Sequence, residues 1–113
     1  MRRGVIVVSA IVAASAWTAS AGAQTGQCYE GIGCISTTNV DRRALRQLSC
    51  QSLWEVCNRV YQDRGYCFQT ERALAVFSNK GCQFTREAEV PFNSFERANI
   101  AAIREAEGRK GCR

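Results

Sequence analysis

The sequence contains no histidine among its 113 residues. That absence excludes Ser-His and Cys-His nucleophilic catalysis, and it removes the commonest protein ligand of zinc. The chain also lacks a C-x-x-C motif and the glycine-rich motifs that hold nucleotide phosphates, so neither a thioredoxin-like redox site nor a nucleotide site is indicated. We therefore assign no catalytic residue, no metal site and no cofactor from the motifs.

The longest apolar run is too short to span a membrane. It covers residues 5–17, whereas a spanning helix needs about 20 apolar residues. Residues 2–3 are both basic and residues 21–23 are small, which together predict a secretory signal peptide over residues 1–23. Cleavage two residues earlier and an uncleaved amino-terminal anchor are the alternatives. After cleavage we expect a periplasmic or secreted protein without a stable membrane span.

The net charge is only mildly positive. Fifteen basic residues against ten acidic ones give +5, and loss of Arg2 and Arg3 with the signal peptide lowers this to about +3. The basic residues are too few and too scattered to predict nucleic-acid binding. Weak attraction to an anionic cell-envelope polymer, or to an envelope protein, is compatible with this charge.

Cysteine is abundant, and all seven copies follow the predicted signal peptide. Secretion combined with dense cysteine in a short chain predicts a disulfide framework. Of the 105 arrangements that leave one cysteine free, we propose the pairs Cys28–Cys34, Cys50–Cys112 and Cys67–Cys82. Cys50 and Cys57 lie about 10.5 Å apart along one predicted helix, beyond the roughly 7 Å that a disulfide allows. Cys57 lies in the middle of an apolar face, so we predict that it is the free thiol.

Local signals predict a small, mainly α domain of three to four short helices stapled by about three disulfides. The predicted helices follow the capping residues Asp41, Ser49, Thr70 and Asn93. They cover residues 42–48, 50–63, 71–77 and 94–107. We interpret residues 24–40 as a loop closed by the proposed Cys28–Cys34 disulfide rather than as a strand. Residues 82–92 are interpreted as an ordered connection.

Two of these helices have a predicted buried face, and most aromatic residues are assigned to the core. On the second helix, the apolar positions repeat with helical spacing at Leu53, Trp54, Cys57, Val60 and Tyr61. On the last helix, the predicted stripe is narrower and consists of Phe95, Ala98, Ala102 and Ala106, bordered by Asn99 and Ile103.

The residues of the second half resemble the YARHG domain, in its cysteine-rich bacterial version. The resemblance rests on S-L-W-E-V-C-N-R-V-Y-Q-D-R-G-Y-C-F-Q-T, F-S-N-K-G-C and V-P-F-N-S-F-E-R-A-N-I-A-A-I-R-E-A-E. Together with the local signals, it divides the chain into a signal peptide at 1–23, a Cys-clipped segment with a short helix at 24–48, and a YARHG-like helical domain at 49–113. The motif that names the family falls on residues 61–65, where only the first and last residues match. The resemblance implies a secreted bacterial protein with no established activity, and it implies arginine where this chain has Cys57.

The predicted binding surface combines polar and aromatic residues from two helices: Arg64, Tyr66, Glu96, Asn99 and Glu107. Tyr66 can line a surface groove, or it can belong to the core. Glu96 and Glu107 can act as general acids in a small envelope hydrolase. Alternatively, Glu96 forms a capping box, and Glu107 pairs with Arg104 or Arg64. We favour a non-enzymatic envelope binding module.

The free thiol of Cys57 leaves three alternatives open. It can be an inert core group, a reactive thiol, or the link of a covalent homodimer with a structural or inhibitory role. No neighbouring sequence pattern lowers the pKa of Cys57, so we favour an inert thiol in the core.

Overall fold

The computed structural model describes Gly4 and residues 27–113. Apart from Gly4, the predicted signal peptide lies outside the described residues. The described chain contains four α-helices, a small two-stranded sheet and three disulfides, which confirms the predicted fold class. In chain order the elements are β1 Cys28–Tyr29, β2 Gly33–Cys34, α1 Arg42–Gln47, α2 Cys50–Asp63, α3 Glu71–Leu74, a 3₁₀ helix Glu87–Glu89 and α4 Ser94–Lys110.

Side-chain caps explain where the four α-helices begin. Asp41, Ser49, Thr70 and Asn93 each accept a hydrogen bond from a backbone N–H of the first turn, as the sequence predicted. The helix ends were predicted less well. Helix α3 stops at Leu74 instead of continuing to residue 77, and α4 continues to Lys110 before Gly111 ends it in a left-handed conformation.

The amino-terminal segment differs from the loop that the sequence predicted. Strands β1 and β2 form an antiparallel pair in which Cys28 lies opposite Cys34, and the same two residues are joined by a disulfide. Gly31 and Gly33 have φ angles of 78° and 114°, which allow the chain to return within so few residues. The prediction of a loop without strands was therefore wrong.

The structure contains the three disulfides that we proposed from the spacing. They join Cys28 to Cys34, Cys50 to Cys112 and Cys67 to Cys82, while Cys57 is free and buried. The Cys50–Cys112 bond connects the start of α2 to the second residue after the end of α4. It therefore ties together the two longest helices.

Helix α4 is the centre of the fold because it packs against both α1 and α2. The core between them includes the fully buried residues Leu45, Leu53 and Ile103. Ile35 from the amino-terminal segment is also fully buried, so this segment contributes to the same core as the helices. None of the helices in the described residues is long and apolar enough to cross a membrane.

The buried face of α4 agrees with the predicted stripe in its second half, where Ala102 and Ala106 are buried, and differs from it in the first half. Phe95 is 39% exposed and Ala98 is exposed, while Ile100 is buried. The polar residues Glu96 and Asn99 are also buried, at 1% and 2% exposure. The prediction was therefore wrong at Phe95 and Ala98, because the first turns of α4 direct the polar side chains of Glu96 and Asn99 toward the core instead.

The aromatic residues form a cluster beside the core. Trp54 is only half-buried, as are Tyr66, Phe84 and Phe92, whereas Tyr61, Phe68 and Phe77 are buried. The ring of Tyr61 meets the rings of Tyr66 and Phe92 edge-on, with centroids 5.4 and 4.9 Å apart. Such edge-to-face pairs contribute about 0.5–1.5 kcal/mol each beyond the area that they bury.

Candidate functional site

The Glu96 carboxylate is the most highly bonded polar group of the described structure. Its Oε1 accepts hydrogen bonds from the backbone N–H of Asn93 at 2.9 Å and from Arg64 Nε at 2.9 Å. Its Oε2 accepts from Ser36 Oγ at 2.8 Å and from Arg64 Nε at 3.0 Å. Asn93 completes a reciprocal capping box by accepting from the Glu96 N–H. Because both oxygens are bonded and the side chain is 1% exposed, Glu96 is a structural group rather than an accessible general acid.

Asn99 connects α4 to the amino-terminal segment one turn farther along. Its Oδ1 accepts from the Val40 N–H at 3.0 Å, and its Nδ2 donates to the carbonyls of Ile35 at 2.7 Å and Thr38 at 2.8 Å. These three bonds satisfy backbone groups of a segment that has little secondary structure of its own. Asn99 therefore holds that segment against the core.

The predicted binding surface does not form as one surface. Glu96 and Asn99 are buried in these structural roles. Glu107 lies eleven residues beyond Glu96 on α4, which corresponds to about 16 Å along the helix. Of the five residues proposed, Arg64 and Tyr66 line a common groove. The suggested partners of Glu107 are also engaged elsewhere, since Arg64 binds Glu96 and Arg104 contacts Glu87.

The groove at Tyr66, which we call the Tyr66 groove, has a volume of about 440 Å³. It is lined by residues 62–66 and 80–84, with Ser78 and Pro91. Its wall includes the cations Arg64 and Lys80 and the carboxylate of Asp63. Burial raises the pKa of that carboxyl above its usual value, against an opposing hydrogen bond from Gln27. The mixed charges leave this groove without a dominant sign.

A second groove lies between α4 and the connection that precedes it, and we call it the α4 groove. It has a volume of about 580 Å³. Its apolar lining consists of Tyr61, Ala88, Phe92, Ile100 and Ala101, and its charged lining consists of Glu87, Arg97 and Arg104. The volume lies within the range of about 300–1,000 Å³ that is typical of ligand sites.

The charged residues of the α4 groove are arranged along one side of α4. Arg97 and Arg104 are seven residues apart, so they share a helix face and are separated by about 10.5 Å along the axis. Arg104 donates a hydrogen bond to the Tyr61 hydroxyl and lies 3.5 Å from a carboxylate oxygen of Glu87. Arg97 is exposed, and its guanidinium has no acceptor among the residues that the structure describes.

Sequence reasoning did not identify the α4 groove. The spacing of Arg97 and Arg104 is a visible signal, because seven residues place two side chains on one face of a helix. The opposite wall, with Glu87 and Phe92, comes from a connection without periodicity. The position of this wall beside α4 could not be predicted from local sequence patterns.

The free thiol lies beneath the α4 groove rather than in it. Cys57 is 6% exposed, and burial raises its pKa from 9.0 to about 12, with the nearby Arg104 opposing this shift. The thiolate is the nucleophilic form of cysteine, so this environment makes Cys57 unreactive. An intermolecular disulfide through Cys57 would require the core to open.

Metal binding has no support in residues 27–113, where no group of three or more histidine, cysteine, aspartate and glutamate residues is arranged to hold an ion. The polar groups described above hold the fold together, as Glu96 and Asn99 do, or line open grooves. The arrangement is suited to binding a ligand at the surface.

The chain matches a known protein family. The model of the YARHG domain matches residues 31–108, so the match begins in the amino-terminal segment rather than near Ser49. Ile35 and Leu45 of that segment are fully buried in the core that the helices share. Neither the curated proteins nor the solved structures gave a match. The three disulfides and the YARHG domain indicate an extracellular or periplasmic location.

Proposed function

We propose that this chain, which belongs to the YARHG domain family, is a secreted or periplasmic binding module of the bacterial cell envelope without enzymatic activity. The observation that carries the proposal is the α4 groove. It combines an apolar lining with two guanidinium groups on a domain that disulfides hold rigid. Rigid placement of polar and apolar groups lowers the ordering cost of binding.

The state of the two glutamates supports binding over hydrolysis. Glu96 is buried and fully bonded, so it has neither the access nor the free oxygen that proton transfer to a substrate requires. Glu107 is half-buried and lies outside both grooves. A hydrolase that uses this pair would have to separate Glu96 from four hydrogen bonds.

The proposal is tested by sedimentation of the mature protein with bacterial sacculi, and by parallel binding to anionic wall polymer and to envelope proteins. We expect binding that weakens with salt and falls when Arg97→Glu reverses the charge at the α4 groove. Arg43→Glu is the matched control, because Arg43 is exposed on α1 outside the groove. Binding to none of these envelope components would refute the proposal.

The same samples address the hydrolase alternative. A hydrolase releases soluble fragments from sacculi, and a binding module does not. Release by the native protein that disappears in Glu107→Gln would favour hydrolysis.

A further inference from the structure

We propose that the α4 groove binds a short acidic peptide segment whose carboxylates lie three residues apart with small apolar side chains between them. This inference rests on the proposed function, because it names the class of ligand that would occupy the same groove. It follows from three properties of the groove: the spacing of its cations, the chemistry of its lining and the position of Glu87.

The spacing of the cations calls for two anionic groups on one ligand. Arg97 and Arg104 are separated by about 10.5 Å along α4 and share one face. A peptide in the polyproline II conformation places residues i and i+3 on one side, about 9.3 Å apart. This conformation is common in short unstructured peptides, so the ligand would need little reordering. A ligand with a single carboxylate would engage only one of the two guanidinium groups.

The lining of the groove favours a peptide over a glycan. Between the two arginines the α4 wall is aliphatic, formed by Ile100 and Ala101, and Ala88 and the half-buried Phe92 line the other wall. The groove offers no serine, threonine, asparagine or glutamine side chain to hold sugar hydroxyls. The hydroxyl of Tyr61 is engaged by Arg104, and its ring is only 4% exposed, so it offers no open face for a sugar ring.

The Glu87 carboxylate contacts Arg104, where the carboxylate of a ligand would bind. Its Oε2 lies 3.5 Å from Arg104 Nη2, a longer contact than the 2.8 Å between Arg86 and Glu89 on the same short helix. Both side chains of the long pair are more than half exposed. A ligand carboxylate would therefore displace Glu87 from Arg104 at small cost and form a closer bond.

The test is titration of the mature, oxidised protein with capped tetrapeptides at low salt. The ligand probe has glutamate at both ends and two alanines between them. One control peptide places the two glutamates side by side, and another replaces both with glutamine. We expect the spaced peptide to bind about fivefold more tightly than the adjacent one, and the uncharged peptide to show no binding.

Two pairs of variants assign the effect to the groove. Arg97→Gln should weaken binding of the spaced peptide about fivefold or more, and Arg43→Gln should change it less than twofold. Glu87→Gln should tighten binding several-fold, because it removes the internal competitor from Arg104. Glu89→Gln removes the same charge from the same short helix outside the groove, so it should have the smaller effect.

The outcomes separate this inference from the proposed function. Equal binding of the spaced and adjacent peptides, or equal loss in Arg97→Gln and Arg43→Gln, would overturn the peptide assignment. So would tighter binding of anionic polysaccharide or of vesicles rich in anionic lipid. Sacculus binding without peptide binding would leave the proposed function standing and refute the inference. Loss of both would refute both.

Discussion

Arg64 and Glu96, thirty-two residues apart in the chain, meet through a single nitrogen: Arg64 Nε donates to both oxygens of the Glu96 carboxylate, at 2.9 and 3.0 Å. The pair joins the residue that caps the end of α2 to the first turn of α4. Ser36 donates to the same carboxylate, so three parts of the chain meet at one buried group. Glu96 therefore joins the amino-terminal segment and the end of α2 to the start of α4.

Removing the charge of Glu96 should be strongly destabilising. Glu96→Gln leaves the Arg64 guanidinium, whose side chain is 24% exposed, without its carboxylate. We expect the free energy of unfolding to fall by about 3 kcal/mol, as for other buried pairs that lose one partner. Urea unfolding of the oxidised protein measures this change. Glu105→Gln, on the exposed side of α4, should cost less than about 1 kcal/mol. Equal losses in both variants would contradict the assigned role of Glu96.

Asn99 should determine how firmly the amino-terminal segment is held. Asn99→Ala removes the bonds to the Val40 N–H and to two carbonyls, and it leaves these backbone groups without partners. We expect a loss of about 3 kcal/mol. Hydrogen exchange should become faster in residues 35–40 than in α2. Asn58→Ala is the control, because the Asn58 side chain donates to the Trp54 carbonyl of its own helix and, within residues 27–113, holds no other segment. Unchanged exchange in residues 35–40 would refute this role of Asn99.

Cys57 should be inaccessible to alkylation in the folded protein. Iodoacetamide should leave the native, oxidised chain unlabelled and should add one group when urea unfolds it without reductant. Reduction should then raise the number of labelled cysteines to seven. Intact mass measures all three states. Rapid labelling of Cys57 in the native state, or a doubled mass that reductant abolishes, would contradict the buried position of the thiol.

The raised pKa of Cys57 should appear in the alkaline stability of the protein. Burial raises the pKa of Cys57 from 9.0 and that of Tyr61 from 10.0, each to about 12. The folded state therefore keeps protons that the unfolded chain releases, so stability is full below pH 9 and falls as the pH rises toward 12. In Cys57→Ala the decline should begin near pH 10. Urea unfolding at constant ionic strength tests this, and identical slopes between pH 9 and 10 would contradict it.

The disulfide that closes the longer loop should contribute more to stability. The Cys50–Cys112 bond spans 62 residues and the Cys28–Cys34 bond spans 6. The loop-entropy relation gives about 4 kcal/mol for the first and about 2 kcal/mol for the second. Paired alanine substitutions, measured by urea unfolding, should give losses in that order. The opposite order would show that loop closure is not the main source of their stabilisation.

The sequence predicted those features that depend on neighbouring residues. The four capping residues were identified because a cap acts within one turn of helix. The apolar positions that repeat with helical spacing along α2 indicated its buried face. The first half of the buried face of α4 was mistaken, because Glu96 and Asn99 are polar and their partners come from distant segments. Ser36 lies 60 residues from Glu96, and Ile35 lies 64 residues from Asn99. No local sequence pattern indicates partners that lie so far apart in the chain.

The two grooves also differ in how far the sequence alone could predict them. Arg64 and Tyr66 were recognised as a possible surface because they adjoin a helix end at Gly65. The α4 groove was missed because its second wall is a connection with weak periodicity. Contacts between residues far apart in the chain, such as Phe92 with Tyr61 and Glu87 with Arg104, place that wall beside α4. Tertiary contacts therefore determine which exposed arginines border a cavity.

The most direct test of the account is a map of backbone amide chemical shifts for the oxidised, isotopically labelled domain, titrated with soluble fragments of bacterial sacculi. Binding at the α4 groove predicts that the largest shift changes occur in residues 87–92 and 97–104, with little change in residues 71–77. It also predicts that Arg97→Glu removes these changes while Arg43→Glu preserves them. A titration without shift changes, or with changes centred on the Tyr66 groove, would contradict the claim that the α4 groove is the binding surface.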